Sequence, residues 1–491
     1  MLWRYNPNTK IELQRKYPVT PGNFPLSDIV KTILTSESVL IFGDYDVDGI
    51  ASSLILKNAL DILGIRNKIF LPEREEGYGI KPEHVWQIKK EGFKVIITVD
   101  NGITAGEAAK AAKEAGVKLI ITDHHEPQYP LPDAYRIFNP KLYKDKYQDY
   151  AGAGVAYLLA RELLRQRNLS VTPAMIQLAG LATVADVVPL DGNNWYIARK
   201  GLELMRKQPI KGIKEILRVA GRNHENLTGF DIGWIIAPRI NATGRLKSPQ
   251  MSLELLLYGT NAEEVEELNR KRLELVNQYL SHIEDSENKF LIYAFKNCPR
   301  GIMGLIAGRA AEKFQKPVMV SSIDSSGRAV SSVRTYGDFD LIEVFKYVSK
   351  HVDISFGGHK SAAGVSYSIR DLKRIQSLLN KYTEKNPPKE EIRDLDGILT
   401  RKPALEEVKA FDSFEPFGYK NPEPAFLLKG TVTDVRIDQD WQLVIVNEQF
   451  GLFLDGTYRK GDEVMLVVSP YVSNGYVKLC VLDKKPKIVE D

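Results

Sequence analysis

Three continuous apolar runs recur in the first quarter of the chain: Val39-Leu40-Ile41-Phe42, Val95-Ile96-Ile97-Thr98-Val99 and Leu119-Ile120-Ile121-Thr122. Uninterrupted runs of this kind belong to strands buried on both faces, as in parallel sheets, and not to half-exposed strands, whose polarity alternates. Between them the apolar period lengthens. Residues 50–63 read as a helix stopped by Gly64, residues 68–71 as a strand, and residues 82–91 and 104–115 as helices. This β-α alternation predicts a doubly wound or similar α/β domain with right-handed crossovers. Residues 152–217 turn mainly helical, and Asn261 reads as the N-cap of a long charged helix through Leu268, Leu273 and Leu280, a connector between domains. A second α/β unit follows, with strands at 290–295 and 317–321, a helix at 304–314 and a turn at Gly357-Gly358-His359. Pro387-Pro388 with flanking charge marks a linker at 386–391. From Ala425 onward the pattern is strand-rich, with a hairpin turn at Asn474-Gly475, as in a small β-barrel of the OB type. The expected domains are residues 1–260, the connecting helix 261–288, the second α/β domain 289–385, and linker plus barrel 386–491.

Composition changes this picture little. A chain of 491 residues with 43% hydrophobic content exceeds one compact core, and no stretch approaches the apolar length of a membrane span. No membrane partner and a cytoplasmic location are therefore expected. Two cysteines, Cys298 and Cys480, give neither a disulfide framework nor a zinc signature, and both read as buried thiols. The net charge of +4 does not oppose a polyanionic partner. Between Arg199 and Arg222, eight basic residues stand against two acidic ones, which makes either a solvated helical face or a phosphate-contacting surface.

The chemistry lies where the apolar runs stop. The first ends in Gly43-Asp44-Tyr45-Asp46-Val47-Asp48-Gly49, the second in Asp100, the third in Asp123-His124-His125. Open parallel sheets bind ligands at the carboxyl ends of their strands, so these groups should converge. A lone Asp at a strand end is usually a cap or turn residue. Three such clusters on successive strands point instead to a metal site. Hard divalent cations take oxygen ligands, and added imidazole shifts the preference toward manganese. Asp44, Asp46, Asp48, Asp100, His124, His125 and Asp186 outnumber the needs of one ion. Two ions, Mn²⁺ preferred and Mg²⁺ possible as a substitute, are expected, an arrangement suited to phosphate-ester hydrolysis.

These same residues resemble the successive motifs of the DHH phosphoesterase superfamily, joined by Ala185-Asp186-Val187-Val188-Pro189-Leu190. Within it the chain is most similar to the RecJ-type exonucleases, which degrade single-stranded DNA from the 5′ end. Further matches are Pro72-Glu73-Arg74 with Gly77-Tyr78-Gly79, Pro238-Arg239-Ile240-Asn241-Ala242 with Gly244-Arg245, Gly357-Gly358-His359 with Ala362-Ala363-Gly364, and Pro416-Phe417-Gly418 with Asn421-Pro422-Glu423-Pro424. The resemblance implies a DHH-type parallel-sheet domain, a connecting helix, a DHH-associated α/β domain and the OB-type barrel. It implies metal ligation by Asp46, Asp48, Asp100, His124 and Asp186, with Asp100 as bridge and Asp44 as a further ligand. His125 would ligate or meet the scissile phosphate, and Asp123 would orient an imidazole.

For the nucleic acid, the resemblance implies a terminal-phosphate site at Ser332 and Arg334, strand contacts at Arg74, Arg239, Asn241 and Arg245, and an approach of Gly357, Gly358 and His359 to phosphate. Arg74, Arg334 and Arg245 have an ordinary alternative as partners in surface ion pairs. Trp441, Phe450, Phe453, Tyr471 and Tyr476 supply aromatics that are either barrel core or base-stacking platforms. The chain departs from the family at Pro299-Arg300-Gly301-Ile302-Met303-Gly304, where relatives read His-Glu-Gly-Val-x-Gly. The implied partners are single-stranded DNA and a single-stranded-DNA-binding protein or helicase, in repair and recombination. The competing readings are a phosphodiesterase for short RNA oligomers and an inactive replication scaffold.

Overall fold

A computed structural model describes residues 1–5, 24–144, 146–438, 441–454, 457–473 and 475–490. The chain divides into two compact units. Of the described residues, one takes 24–273 together with Glu415–Pro422; the other takes 1–5, Glu274–Phe414 and those from Glu423 onward.

In the first unit, β1 (Ser38–Phe42), β2 (Arg66–Phe70), β3 (Val95–Val99), β4 (Lys118–Thr122) and β5 (Arg136–Phe138) form one wholly parallel sheet in the order β2-β1-β3-β4-β5. The apolar runs place alternate side chains on opposite faces. Val39, Ile41, Ile97, Val99 and Ile120 join a core with α1 (Val47–Ile62), α2 (Gly152–Arg165) and α3 (Pro173–Ala185), whereas Leu40, Phe42, Ile96, Leu119 and Ile121 pack with the helices Pro82–Lys90 and Gly106–Ala115. Full burial of each such side chain contributes about 1.5 to 3 kcal/mol, which fixes the register against slippage. The strand order reverses between β1 and β3. At such a switch point the two following loops part and leave a crevice at the carboxyl edge.

The second unit's first sheet contains the two expected strands and three more. It holds five strands, β6 (Leu291–Lys296), β7 (Val318–Ile323), β8 (Arg328–Arg334), β9 (Ile354–Gly358) and β10 (Ala362–Ser368), ordered β9-β10-β8-β7-β6. Only β6 and β7 run parallel; the other pairs are antiparallel. The strands β8 and β10 alternate buried and open residues, a pattern that a search for continuous apolar runs passes over. Gly357 and Gly358 end β9 and do not themselves make the turn.

Beyond it, β11 (Phe426–Asp438), β12 (Trp441–Val446), β13 (Phe450–Leu454), β14 (Glu463–Ser473) and β15 (Tyr476–Asp483) form an antiparallel sheet in the order β13-β12-β11-β14-β15. β13 and β15 approach one another and nearly close a barrel of the OB type around Leu428, Val444, Phe450, Leu452 and Leu466. Asn474 of the expected hairpin turn lies outside the described residues.

Three further expectations are corrected. Leu2–Tyr5 does not belong with the first domain; it pairs in parallel with Ile392–Leu395, directly after the expected linker, and with Lys487–Glu490. Cys298 is buried as expected, but Cys480 is exposed, because it falls on an outward position of β15. The compact units also part within the long helix Ala262–Leu280 and not at either end of it. Asn261 precedes that helix with φ of 64° and donates its side-chain amide to Glu254. Among the described residues no helix is long and apolar enough to cross a membrane.

Candidate metal centre and phosphate-binding groups

The loops after β1, β3 and β4 carry the clusters, so the crevice at the switch point collects them. Asp46 caps α1, its carboxylate accepting from the amides of Asp48 (3.0 Å) and Gly49 (3.1 Å). That cap turns the chain sharply. Gly49 has no side chain because a Cβ there would lie 2.5 Å from the Asp44 nitrogen. Asp48 accepts from the amides of Gly152 (2.6 Å) and Ala153 (2.7 Å), the first residues of α2. Asp100 has φ of 63°, a left-handed backbone of the kind that concentrates at functional sites. Gly152 permits its approach, since a Cβ there would meet Asp100 Oδ1 at 2.7 Å. Asp186 ends α3.

The structure brings together all seven expected ligands. The donor atoms of Asp44, Asp46 and Asp100 lie within 4.8 Å of one another, as do those of Asp100, His124 and His125, and those of Asp48, His124 and Asp186. His124 Nε2 lies 3.1 Å from Asp100, 3.7 Å from Asp48 and 3.8 Å from Asp186. Two atoms of the cluster, Asp44 Oδ1 and His124 Nε2, are buried with no hydrogen-bond partner among the described residues. An orphaned buried acceptor costs about 1 to 3 kcal/mol. A hard cation with mixed oxygen and imidazole ligation satisfies both atoms, so the residues fit a divalent metal.

Electrostatics agree. Burial, with Asp46 alongside, pushes Asp44 up to about 8, and burial with the same neighbour pushes Asp48 up to about 7. Burial and the surrounding carboxylates raise Asp100 and Asp186 well above the usual range. So many buried carboxylates hold protons until a cation compensates their charge. His124 is lowered to about 3 by burial and by His125, which keeps it a neutral ligand. Asp123 is not itself in the cluster. Its Oδ1 accepts from His125 Nδ1 (2.8 Å) and from the amides of His124 and His125, and its Oδ2 from the Ile103 amide. Burial is the largest influence on Asp123 and opposes its ionisation, but the His125 hydrogen bond, the charges of His125 and His124 and the Ile103 amide together hold the carboxyl below its ordinary value. Burial lowers His125, but the hydrogen bond to Asp123 and the charges of Asp123, Asp48 and Asp44 together raise it.

Sequence reasoning missed three supports. Tyr78 hydroxyl donates to the Asp100 carbonyl and lies 3.1 Å from His125 Nδ1, Asn139 Nδ2 donates to the His125 carbonyl, and the first turn of α2 holds Asp48. The Gly77-Tyr78-Gly79 motif is the one available signal for the first. Asn139 and Gly152 have none, being distant in sequence from what they touch.

The phosphate-contact candidates divide. Arg74 donates to the Gly244 carbonyl (3.0 Å) and lies 4.0 Å over the Tyr45 ring, beside the first acidic cluster. Gly244 abuts Tyr45 itself, and Arg245 follows half-buried. Asn241 accepts from the Val47 amide (3.0 Å), so it anchors the start of α1. Arg239 does not meet the expectation of a strand contact. Its guanidinium forks onto Glu266 and the Ile235 carbonyl and is largely buried, a structural ion pair. The basic run from Arg199 is likewise partly neutralised, Arg199 and Lys200 by Glu203, Arg206 by Glu415, Arg218 by Glu215 and Glu263.

In the second unit, Arg334 donates to Ser332 Oγ (3.2 Å) and the Val333 carbonyl (2.8 Å), and burial lowers it. The helix Arg300–Phe314, which begins in the segment that departs from the family pattern, presents Gly304 to both; a Cβ there would lie 2.8 Å from the guanidinium. Gly358 has φ of 138° and accommodates the Ala362 carbonyl, and His359 follows on an exposed turn. On the barrel, Phe450 is core, whereas Phe453, Tyr471 and Tyr476 are exposed; the Trp441 side chain lies outside the described residues.

The model of the DHH family N-terminal domain matches residues 38–185, and that of the DHHA1 domain matches residues 287–385. Fold, acidic crevice and these two matches define a protein of the DHH class. The single-stranded-DNA-specific exonuclease RecJ of Haemophilus influenzae is 30% identical over 470 residues, 87% of this chain and 81% of that protein. RecJ of Bacillus subtilis is 33% identical over 431 residues, covering 83% of this chain; the chain spans only 54% of that relative's length. The crystal structure of Thermus thermophilus RecJ in complex with Mn²⁺ superposes with a TM-score of 0.83 at 27% identity, covering 94% of this chain and 72% of that one. The chain belongs to the RecJ family.

Proposed function

We propose that this chain is a metal-dependent exonuclease that hydrolyses single-stranded DNA from its 5′ end to 5′-mononucleotides, in cytoplasmic DNA repair and recombination. The observation that carries the reading is the crevice itself: seven donor side chains converge there, and Asp44 Oδ1 and His124 Nε2 are buried without hydrogen-bond partners among the described residues. Membership of the RecJ family, whose named relatives are single-stranded-DNA-specific, supports the substrate class.

Asp44, Asp46, Asp48, Asp100, His124, His125 and Asp186 would hold two divalent cations. The overlap of the three triads supports that number: Asp100 and His124 each belong to two of them, and of the pair Asp100, a carboxylate with two oxygens, would be the one to serve both ions. When bound, such cations supply Lewis acidity, lowering the pKa of an attacking water and offsetting charge on the scissile phosphate. Their carboxylate-rich, imidazole-containing set suits Mn²⁺ and accepts Mg²⁺. Asp123 holds the His125 ring through Nδ1, which would leave Nε2 to ligate or to meet the phosphate. Arg74, seated on Tyr45, stands beside the acidic crevice as a fixed cation for backbone phosphate, and Arg245 adds a second. Ser332 and Arg334 would take the terminal phosphate, with Gly304 leaving room for the guanidinium, and Gly357, Gly358 and His359 would contact phosphate near the cleaved bond. Phe453, Tyr471 and Tyr476 would stack bases further along the strand. A single-stranded-DNA-binding protein or a helicase is the partner class this reading implies.

The test is degradation, in Mn²⁺, of a long 5′-phosphorylated single strand beside a duplex and a dinucleotide. The proposal expects rapid loss of the long strand alone, abolished by Asp100→Ala with the melting temperature retained. Preferential cleavage of the dinucleotide would replace it with the short-oligomer reading.

A further inference from the structure

The Pro416-Phe417-Gly418 and Asn421-Pro422 motif has no part in the metal centre as described, yet it is built into the same compact unit, while its chain neighbours Phe414 and Glu423 belong to the other. The segment is a closed turn. Gly418 and Asn421 exchange backbone hydrogen bonds (2.8 and 3.0 Å), and the Asn421 side chain, 1% exposed, donates to the Pro416 carbonyl (2.8 Å). One end is moored by Arg206 and Arg199, which hold the side chain and the carbonyl of the buried Glu415. Pro416 and Phe417 press on Gly229 so closely that a Cβ there would meet Pro416 at 2.9 Å.

Its other contact is with the loop after Asp186. The Tyr419 carbonyl accepts from the Leu190 amide (2.8 Å), and Gly418 lies over the buried Leu190 side chain, 2.7 Å from where its own Cβ would stand. That loop needs fixing. Val187, adjacent to the ligand, is β-branched with φ of 56° and is exposed, a conformation that costs about 1 to 3 kcal/mol and persists only where the surroundings determine it. Asn194 also donates to the Pro189 carbonyl (3.0 Å). The loop is thus held by both Asn194 and the turn.

We infer that residues 415–422 form a strap that positions Asp186, so that one cation site is complete only while the strap is seated on Leu190. Asn421, Gly418 and Leu190 are positioning residues, acting through the loop and touching neither substrate nor metal. The inference rests on the proposed metal centre, and its test separates the two.

Mn²⁺ binding to the full chain is followed by titration calorimetry for the parent, Asn421→Ala, Gly418→Val, Asp186→Ala and the two double variants with Asp186→Ala. Loss of a supporting contact typically weakens a metal site about 10- to 100-fold. Each strap variant is expected to weaken one ion by that factor and leave the other unchanged, with the parent's melting temperature retained by at least one of them. In the Asp186→Ala background the strap substitutions should have no further effect on binding. Parent-like isotherms for both strap variants, or full additivity with Asp186→Ala, would overturn the inference. An unchanged isotherm for Asp186→Ala alone would overturn the metal assignment beneath it, and the inference with it.

Discussion

The protonated state of the metal-free crevice makes Mn²⁺ affinity a steep function of pH. Asp44 is raised to about 8 and Asp48 to about 7, and both must ionise before they ligate. At pH about 6.5, releasing a proton from each costs together about 3 kcal/mol, and at pH about 8.5 only about 0.2 kcal/mol. Affinity should therefore rise on the order of 100-fold across those two pH units. Asp100 and Asp186, raised by burial and by their neighbours, and His125, raised by Asp123, act in the same direction. His124, lowered to about 3, is neutral throughout and adds nothing. The sign for stability follows. The folded metal-free chain binds protons on Asp44 and Asp48 that the unfolded chain has released, so its stability falls as pH rises from about 4 to about 8 and then levels off. Added Mn²⁺ should offset that fall most strongly at the alkaline end. Calorimetric titration of chelator-stripped protein at the two pH values, in buffers of different ionisation enthalpy, reads both the affinity and the protons released. A change under about threefold, or binding without proton release, would refute the reasoning.

Other consequences are as direct. Gly152→Ala places a methyl 2.7 Å from Asp100 Oδ1 and should reduce Mn²⁺ affinity and turnover at least about tenfold, measured by titration and by strand degradation. Asp123→Asn removes the charge that holds His125 and should weaken metal binding about 10- to 100-fold while the circular dichroism spectrum is unchanged. Arg239→Ala, expected from sequence to affect the substrate, should instead destabilise the fold by about 3 kcal/mol in urea by leaving Glu266 unpaired, with a KM for DNA like the parent's. Arg334→Ala should do the reverse, leaving the urea midpoint within error and erasing the preference for a 5′-phosphorylated over a 5′-hydroxyl strand in competition assays.

The metal centre was legible because its signals are local. Each of Asp44, Asp46, Asp48, Asp100, His124 and His125 stands at the end of an apolar run, and the parallel sheet that such runs dictate gathers strand ends at one edge. Asp186 was legible only through its resemblance to a known motif, for nothing near it in sequence announces an ion. What the pattern could not show were pairings across long separations. Arg239 reads as a free cation until Glu266, 27 residues on, is found beside it, and Gly152 looks like any helix-starting glycine until Asp100 is placed against it. Leu2–Tyr5 is too short and too polar to declare a strand, and it is one only because Ile392–Leu395 and Lys487–Glu490 flank it. Strands β8 and β10 of the second unit escaped for a different reason: they alternate, and Ser and Gly at open positions such as Ser332, Gly364 and Ser366 lower the apolar signal.

The most direct test of the account is a polarity assay on a 5′-phosphorylated single strand labelled at either end, with Mn²⁺ present and with the metal chelated. The account predicts that label at the 5′ end leaves at once as a mononucleotide, that label at the 3′ end persists in progressively shorter strands, and that neither changes without the metal. Early release of the 3′ label, or degradation that survives chelation, would contradict it.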